Sequence, residues 1–72
     1  MRKIVILGGS GFIGTRLTQR LLQASHDVLL ADIQPSAAYP KRWRACDITC
    51  DEQVRETCRG ADLIYNLAAV HR

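Results

Sequence analysis

Aromatic residues make up only 6% of the 72 residues, proline occurs twice, and histidine twice. The three cysteines, Cys46, Cys50 and Cys58, form no Cys-x-x-Cys pair, and their odd number does not build a disulfide framework. Neither a zinc site nor a stapled secreted fold is therefore expected, and the thiols read as reduced, which predicts a cytoplasmic protein. His26 and His71 have no acids or thiols at ligand spacing and read as polar loop residues. Apolar runs are all far too short to cross a bilayer, so no membrane partner is expected. The first of them covers about four residues and leads into glycines, which is not how a cleavable leader is written. No repeat, low-complexity tract or linker interrupts the chain.

Hydrophobic content of 47% with 24% charged residues describes an ordinary globular composition. At 72 residues the chain is too short to hold both a cofactor domain and a substrate domain, so it reads as part of a larger protein. The formal charge of +3 suits an anionic partner. Lys41, Arg42 and Arg44 cluster with Tyr39 and Trp43, which superficially resembles a nucleic-acid surface. A segment this short reads better as a solvated loop or edge strand with one aromatic tucked inward, so no nucleic acid is expected.

Near the N-terminus, Ile4-Val5-Ile6-Leu7 runs directly into Gly8-Gly9-Ser10-Gly11-Phe12-Ile13-Gly14. Glycines 8, 11 and 14 are what a strand needs when it turns tightly into a helix whose N-terminus holds a pyrophosphate. Gly8 permits the sharp exit, Gly11 lets the backbone approach the phosphates, and Gly14 lets the helix pack closely on the sheet. A glycine-rich turn alone joins many strands to helices, but here a second apolar run, Val28-Leu29-Leu30-Ala31, ends in Asp32, about 18 residues after Gly14. A carboxylate there accepts hydrogen bonds from adenosine ribose hydroxyls and repels a 2′-phosphate, which favours NAD over NADP. The alternative for Asp32 is a turn start helped by Pro35.

The pattern predicts strands over 3–7 and 27–31, a helix over 12–24 with Ile13, Leu17 and Leu21 on its inner face, and a loop over 34–40. A short third strand over 42–46 follows, then a helix capped by Thr49 or Asp51, running to about Arg59 with Val54 and Cys58 inward and stopped by Gly60. Residues 61–65 read as a fourth strand. With right-handed crossovers this is an α/β chain, a partial Rossmann fold with a parallel sheet in the order 3-2-1-4 and flanking helices.

Together, the glycine loop, Asp32, Asp47-Ile48 and Asn66-Leu67-Ala68-Ala69 resemble the N-terminal cofactor half of an extended short-chain dehydrogenase/reductase, and within it the NAD-dependent nucleotide-sugar epimerase/dehydratase family. The likeness runs through essentially the whole chain and implies that residues 1–72 are the N-terminal part of a dinucleotide-binding domain. It implies that Gly8, Gly11 and Gly14 line the phosphates, with Ser10, Phe12 and Ile13 offering backbone amides. Asp32 would hold the ribose, Asp47 the adenine amino group, and Ile48 the base. Leu67, Ala68 and Ala69 would lie beside the nicotinamide end. Read from the residues alone, the alternative for Asp47 is a helix-start acid and for Asn66–Ala69 a strand end packed by alanines. Val70-His71-Arg72 resembles the start of a substrate loop.

The family's tyrosine with a lysine four residues on has no counterpart, because Tyr39 is followed by Trp43 and Tyr65 by Ala69. Hydride transfer between a nucleotide sugar and NAD is thus expected of a full-length protein and not of these residues alone. Two alternatives remain, a non-catalytic dinucleotide-sensing module and a fragment that oligomerises through an unpaired sheet edge.

Overall fold

The computed structural model of the chain describes residues 1–68. Its elements in order are strand β1 (Lys3–Leu7), helix α1 (Phe12–Gln23), strand β2 (Asp27–Asp32), a 3₁₀ turn (Pro40–Arg42), strand β3 (Trp43–Ala45), helix α2 (Asp51–Thr57) and strand β4 (Leu63–Asn66). All strand pairs are parallel and the sheet order is β3-β2-β1-β4, the order expected from the sequence. Val5 sits between Leu29 and Ile64, and Leu30 opposite Trp43.

Strand β1 is central and apolar at every position after Lys3 because a parallel strand between two helical layers has no solvent face. Ile4, Ile6, Val28 and Leu30 face one layer, where Leu17, Leu21 and Leu22 of α1 pack with Tyr39 and Tyr65. Val5, Leu7, Ala31 and Cys46 face the other, where Ile48, Val54 and Cys58 pack around α2. The helices therefore lie on opposite faces, and the inward placement of Val54 and Cys58 is as the spacing predicts.

One helical face differs from expectation. Ile13 is 68% exposed, and the fully buried positions of α1 are Gly14 and Thr18. Gly14 seats the first turn against the Gly9 backbone, Leu17 packs inward on the core, and Ile13 falls to the side, where it lines the cleft at the glycine loop. Thr18 satisfies its buried hydroxyl by donating to the Gly14 carbonyl at 2.8 Å. Helix α1 ends at Gln23, one residue early, in a Schellman arrangement with Ser25 at φ 68°, its amide donating to Leu22 and that of His26 to Leu21.

Helix α2 has Cys50 as its N-cap, with no side-chain cap bond, so neither Thr49 nor Asp51 caps it. Thr49 is instead turned back onto Asp47, and Asp51 is the first helical residue. The helix stops at Thr57, and Gly60 follows at φ 76°. Strand β3 is shorter than expected because Arg42 closes the 3₁₀ turn onto Tyr39, and β4 starts late because Ala61 still bonds to Cys58. The basic cluster is tied into the sheet: Arg42 pairs with Asp27 at 3.3 Å, and the Trp43 indole donates to the Asp32 carbonyl at 2.9 Å. No helix among the described residues is long and apolar enough to cross a membrane.

Candidate dinucleotide site

Because every strand is parallel, the C-terminal ends of β3, β2, β1 and β4 share one edge of the sheet, where α/β folds hold ligands. The glycine loop leaves β1 at that edge. Gly8 takes φ 77°, its amide donating to Ala31 at 2.7 Å, and a Cβ there would lie 2.8 Å from the Ala68 amide nitrogen. A Cβ on Gly9 would lie 2.7 Å from Leu30 Cδ2, and one on Gly14 would lie 2.6 Å from Gly9 Cα. These three positions are closed by the chain itself. Gly14 thus brings the first turn of α1 onto the loop, whereas the sequence suggested packing onto the sheet. Gly9 escaped the sequence reading although it is buried, and its signal was the doubled glycine.

Gly11 is different, since a Cβ there would meet nothing within 4 Å. No neighbour in the chain requires a glycine at that point. Gly11 borders an open cleft of about 340 Å³ lined by Gly8, Phe12, Ile13, Gly14 and Leu67. It is also the N-cap of α1, with no side-chain cap bond and no acid in the first turn. First-turn amides of such a helix have no intrahelical partner and carry the positive end of its dipole, so this end attracts an anion.

Asp32 ends β2 beside the loop. Its Oδ2 accepts the Ser10 amide at 3.0 Å and its Oδ1 the Gln34 amide at 3.1 Å, while the Ser10 hydroxyl donates to the Gln34 carbonyl at 2.6 Å. The Ser10 amide is thus held by Asp32 in this structure, and Gln34, which the sequence did not single out, completes the contact. A carboxylate offers about four acceptor positions, so two remain for further donors.

After β3, Asp47 accepts the Thr49 hydroxyl at 2.7 Å and the Thr49 amide at 3.0 Å, and these bonds hold its carboxyl below the ordinary carboxylate range. The Asp47 amide in turn donates to Gln53 Oε1 at 2.8 Å, while Ile48 is half-buried against the α2 side of the core. After β4, Leu67 extends the ladder by donating to the Leu7 carbonyl at 2.8 Å, and Asn66 Oδ1 accepts the Ala68 amide at 3.1 Å. The fold thus brings Gly8, Gly11, Phe12, Ile13, Gly14, Leu67 and Ala68 around the helix start, with Ser10 and Asp32 alongside, and puts Asp47 and Ile48 farther along the same edge. Ala69, Val70, His71 and Arg72 lie outside the described residues.

The described residues hold no group of three metal-ligating side chains. Cys46, Cys50 and Cys58 are free, and burial, followed by the neighbouring Cys46, pushes the Cys58 thiol up. His26 Nδ1 accepts the Arg2 amide at 3.2 Å.

The family model described as NAD dependent epimerase/dehydratase family matches residues 4–72. The chain belongs to that family. Among curated relatives, it is 38% identical over 71 residues to a 3-beta-hydroxysteroid dehydrogenase of Mycolicibacterium neoaurum, covering 94% of this chain and 19% of that protein. It is 32% identical over 69 residues to the N-acetyl-alpha-D-glucosaminyl-diphospho-ditrans,octacis-undecaprenol 4-epimerase of Escherichia coli O157:H7, covering 96% of this chain and 20% of that protein. The chain thus spans about a fifth of the length of these relatives.

Proposed function

We propose that residues 1–72 form the NAD-binding N-terminal module of a nucleotide-sugar epimerase or dehydratase. The observation that carries this reading is the contrast among the glycines: Gly8, Gly9 and Gly14 are filled by the chain's own atoms, whereas Gly11 opens onto the cleft at the α1 N-terminus. A pyrophosphate fits there, held by the Phe12 and Ile13 amides.

Asp32 fits the ribose. With one amide on each oxygen, it keeps two acceptor positions for two ribose hydroxyls. A 2′-phosphate would bring negative charge against the same carboxylate, and the next residues, Ile33-Gln34-Pro35-Ser36, bring no cation to offset it. NAD is therefore the preferred cofactor. Asp47 would take the adenine amino group and Ile48 the base, while Leu67 and Ala68 would leave room toward the nicotinamide. Bound NAD supplies a hydride acceptor and donor; this chain's own residues bind and orient it.

The two relatives carry names with different substrates, a hydroxysteroid and a lipid-linked aminosugar. The chain covers only about a fifth of each relative, so neither printed substrate is carried over to it. The nucleotide sugar belongs to the full-length protein in this proposal, and the three free thiols suit a reducing cytoplasmic setting. A second reading, a non-catalytic dinucleotide sensor, rests on the same glycine start at Gly8-Gly9-Ser10-Gly11-Phe12-Ile13-Gly14.

The deciding experiment is a titration of the chain with NAD and with NADP, followed by amide NMR shifts. Shifts at residues 9–14 and 32, stronger for NAD, are the expected outcome. No response to either nucleotide in a folded sample overturns the proposal.

A further inference from the structure

Ser10, Asp32 and Gln34 form a closed ring of hydrogen bonds. The Ser10 amide donates to Asp32 Oδ2, the Gln34 amide donates to Asp32 Oδ1, and the Ser10 hydroxyl donates to the Gln34 carbonyl. The first two bonds fix both oxygens and hence the plane of the carboxylate. The third joins the glycine loop to the segment after β2 across 24 residues of sequence, and at 2.6 Å it is the shortest of the three.

We propose that the Ser10 hydroxyl is a specificity-positioning group: it holds the Gln34 peptide in place, which aims the Asp32 carboxylate and sets the discrimination between NAD and NADP. This rests on the reading of the site as a dinucleotide pocket. A carboxylate anchored through both oxygens presents its open acceptor positions in one direction and cannot turn aside from a 2′-phosphate. Released at Oδ1, it swings with the loop. The ribose hydroxyls then lose a preorganised acceptor, and the 2′-phosphate loses part of its repulsion. Both effects lower the preference for NAD.

Glycine or alanine at position 10 would retain the amide to Oδ2, so the loop itself does not need serine there. The hydroxyl alone reaches Gln34. Its role is thus separable from the phosphate-binding geometry of the neighbouring glycines.

The test measures dissociation constants of NAD and NADP by calorimetry for the chain and for S10A and S10T, with amide exchange at Gln34 followed by NMR. S10A is expected to speed exchange at Gln34 and to narrow the NADP-to-NAD ratio of dissociation constants about two- to tenfold, the range spanned by loss of one ordinary hydrogen bond. S10T, which keeps a hydroxyl, is expected to restore both. An unchanged ratio in S10A, or unchanged exchange at Gln34, overturns the role of Ser10 and leaves the pocket standing. Failure of the unsubstituted chain to bind either nucleotide overturns the reading of the pocket itself, and the specificity role with it.

Discussion

Gly8 and Ala68 occupy one shared space: with φ at 77°, a Cβ on Gly8 would lie 2.8 Å from the Ala68 amide nitrogen and 2.9 Å from its Cα. The exit from β1 and the exit from β4 are thereby locked together, 60 positions apart in sequence. Backbone atoms cannot retreat as a flexible side-chain tip can. Gly8→Ala therefore incurs both a left-handed-conformation cost, roughly 1–2 kcal/mol, and a displacement of the segment after β4. The expected outcome is a drop in the urea midpoint larger than that for an alanine at any exposed site.

Gly11→Ala separates folding from binding. Its Cβ meets nothing within 4 Å, and Gly11 sits at φ −77° as the N-cap, a conformation open to any residue. Stability should change by less than about 1 kcal/mol, within the range of an N-cap exchange between glycine and alanine. NAD binding should weaken at least tenfold, because the new methyl group stands where the phosphate approaches. Thermal melts and calorimetry on the same sample check the two halves, and an unaltered NAD affinity removes Gly11 from the phosphate site.

How far these features were legible in the residues depends on the range of the interaction that creates them. Strands β1 and β2 were legible because a strand buried on both faces must be apolar throughout, as Ile4–Leu7 and Val28–Ala31 are. Asp32 could be read because its place follows from strand length. Ile13 was misplaced because a regular four-residue spacing does not reveal that the first turn is seated through Gly14 on the Gly9 backbone, which leaves Ile13 to the side while Leu17 and Leu21 reach the core. Capping of α2 was misread because the Thr49 amide and hydroxyl are both turned back onto Asp47, which leaves Cys50 in the N-cap position. The ring through Ser10 and Gln34 has no signature in sequence, since it joins a hydroxyl to a backbone carbonyl 24 residues away.

The Asp47 carboxyl titrates below the ordinary 3.8 because it accepts two bonds from Thr49, the hydroxyl first and the amide second. A carboxylate lowered in this way contributes stability above its unfolded pKa and loses it as pH falls through the folded value. The Asp47 contribution to the turn at 47–49 should therefore be full well above the ordinary carboxylate value and fall away progressively as the pH drops through and below it. Thr49→Val removes the hydroxyl and is expected to raise the Asp47 value toward the ordinary one, read from the side-chain carboxyl carbon by NMR. An Asp47 value that does not move in T49V shows that the hydroxyl bond is not formed in solution.

Among the described residues, β4 pairs with β1 alone, and its Leu63 and Ile64 are 39% and 46% exposed. Leu63 lies opposite Ile4 and Ile64 opposite Val5, so the two apolar side chains project from opposite faces of the same edge. An edge with free amides and carbonyls and apolar residues on both faces is suited to accept another strand, and nothing in Leu63-Ile64-Tyr65-Asn66 supplies the charge or proline that blunts such edges. The 72-residue chain is therefore expected to self-associate as its concentration rises. Ile64→Lys places a charge on that edge and should return the chain to a monomer, while leaving the cleft at Gly11 untouched. Sedimentation velocity over a hundredfold concentration range separates the outcomes, and a monomer throughout for the unsubstituted chain sinks the edge as an association surface.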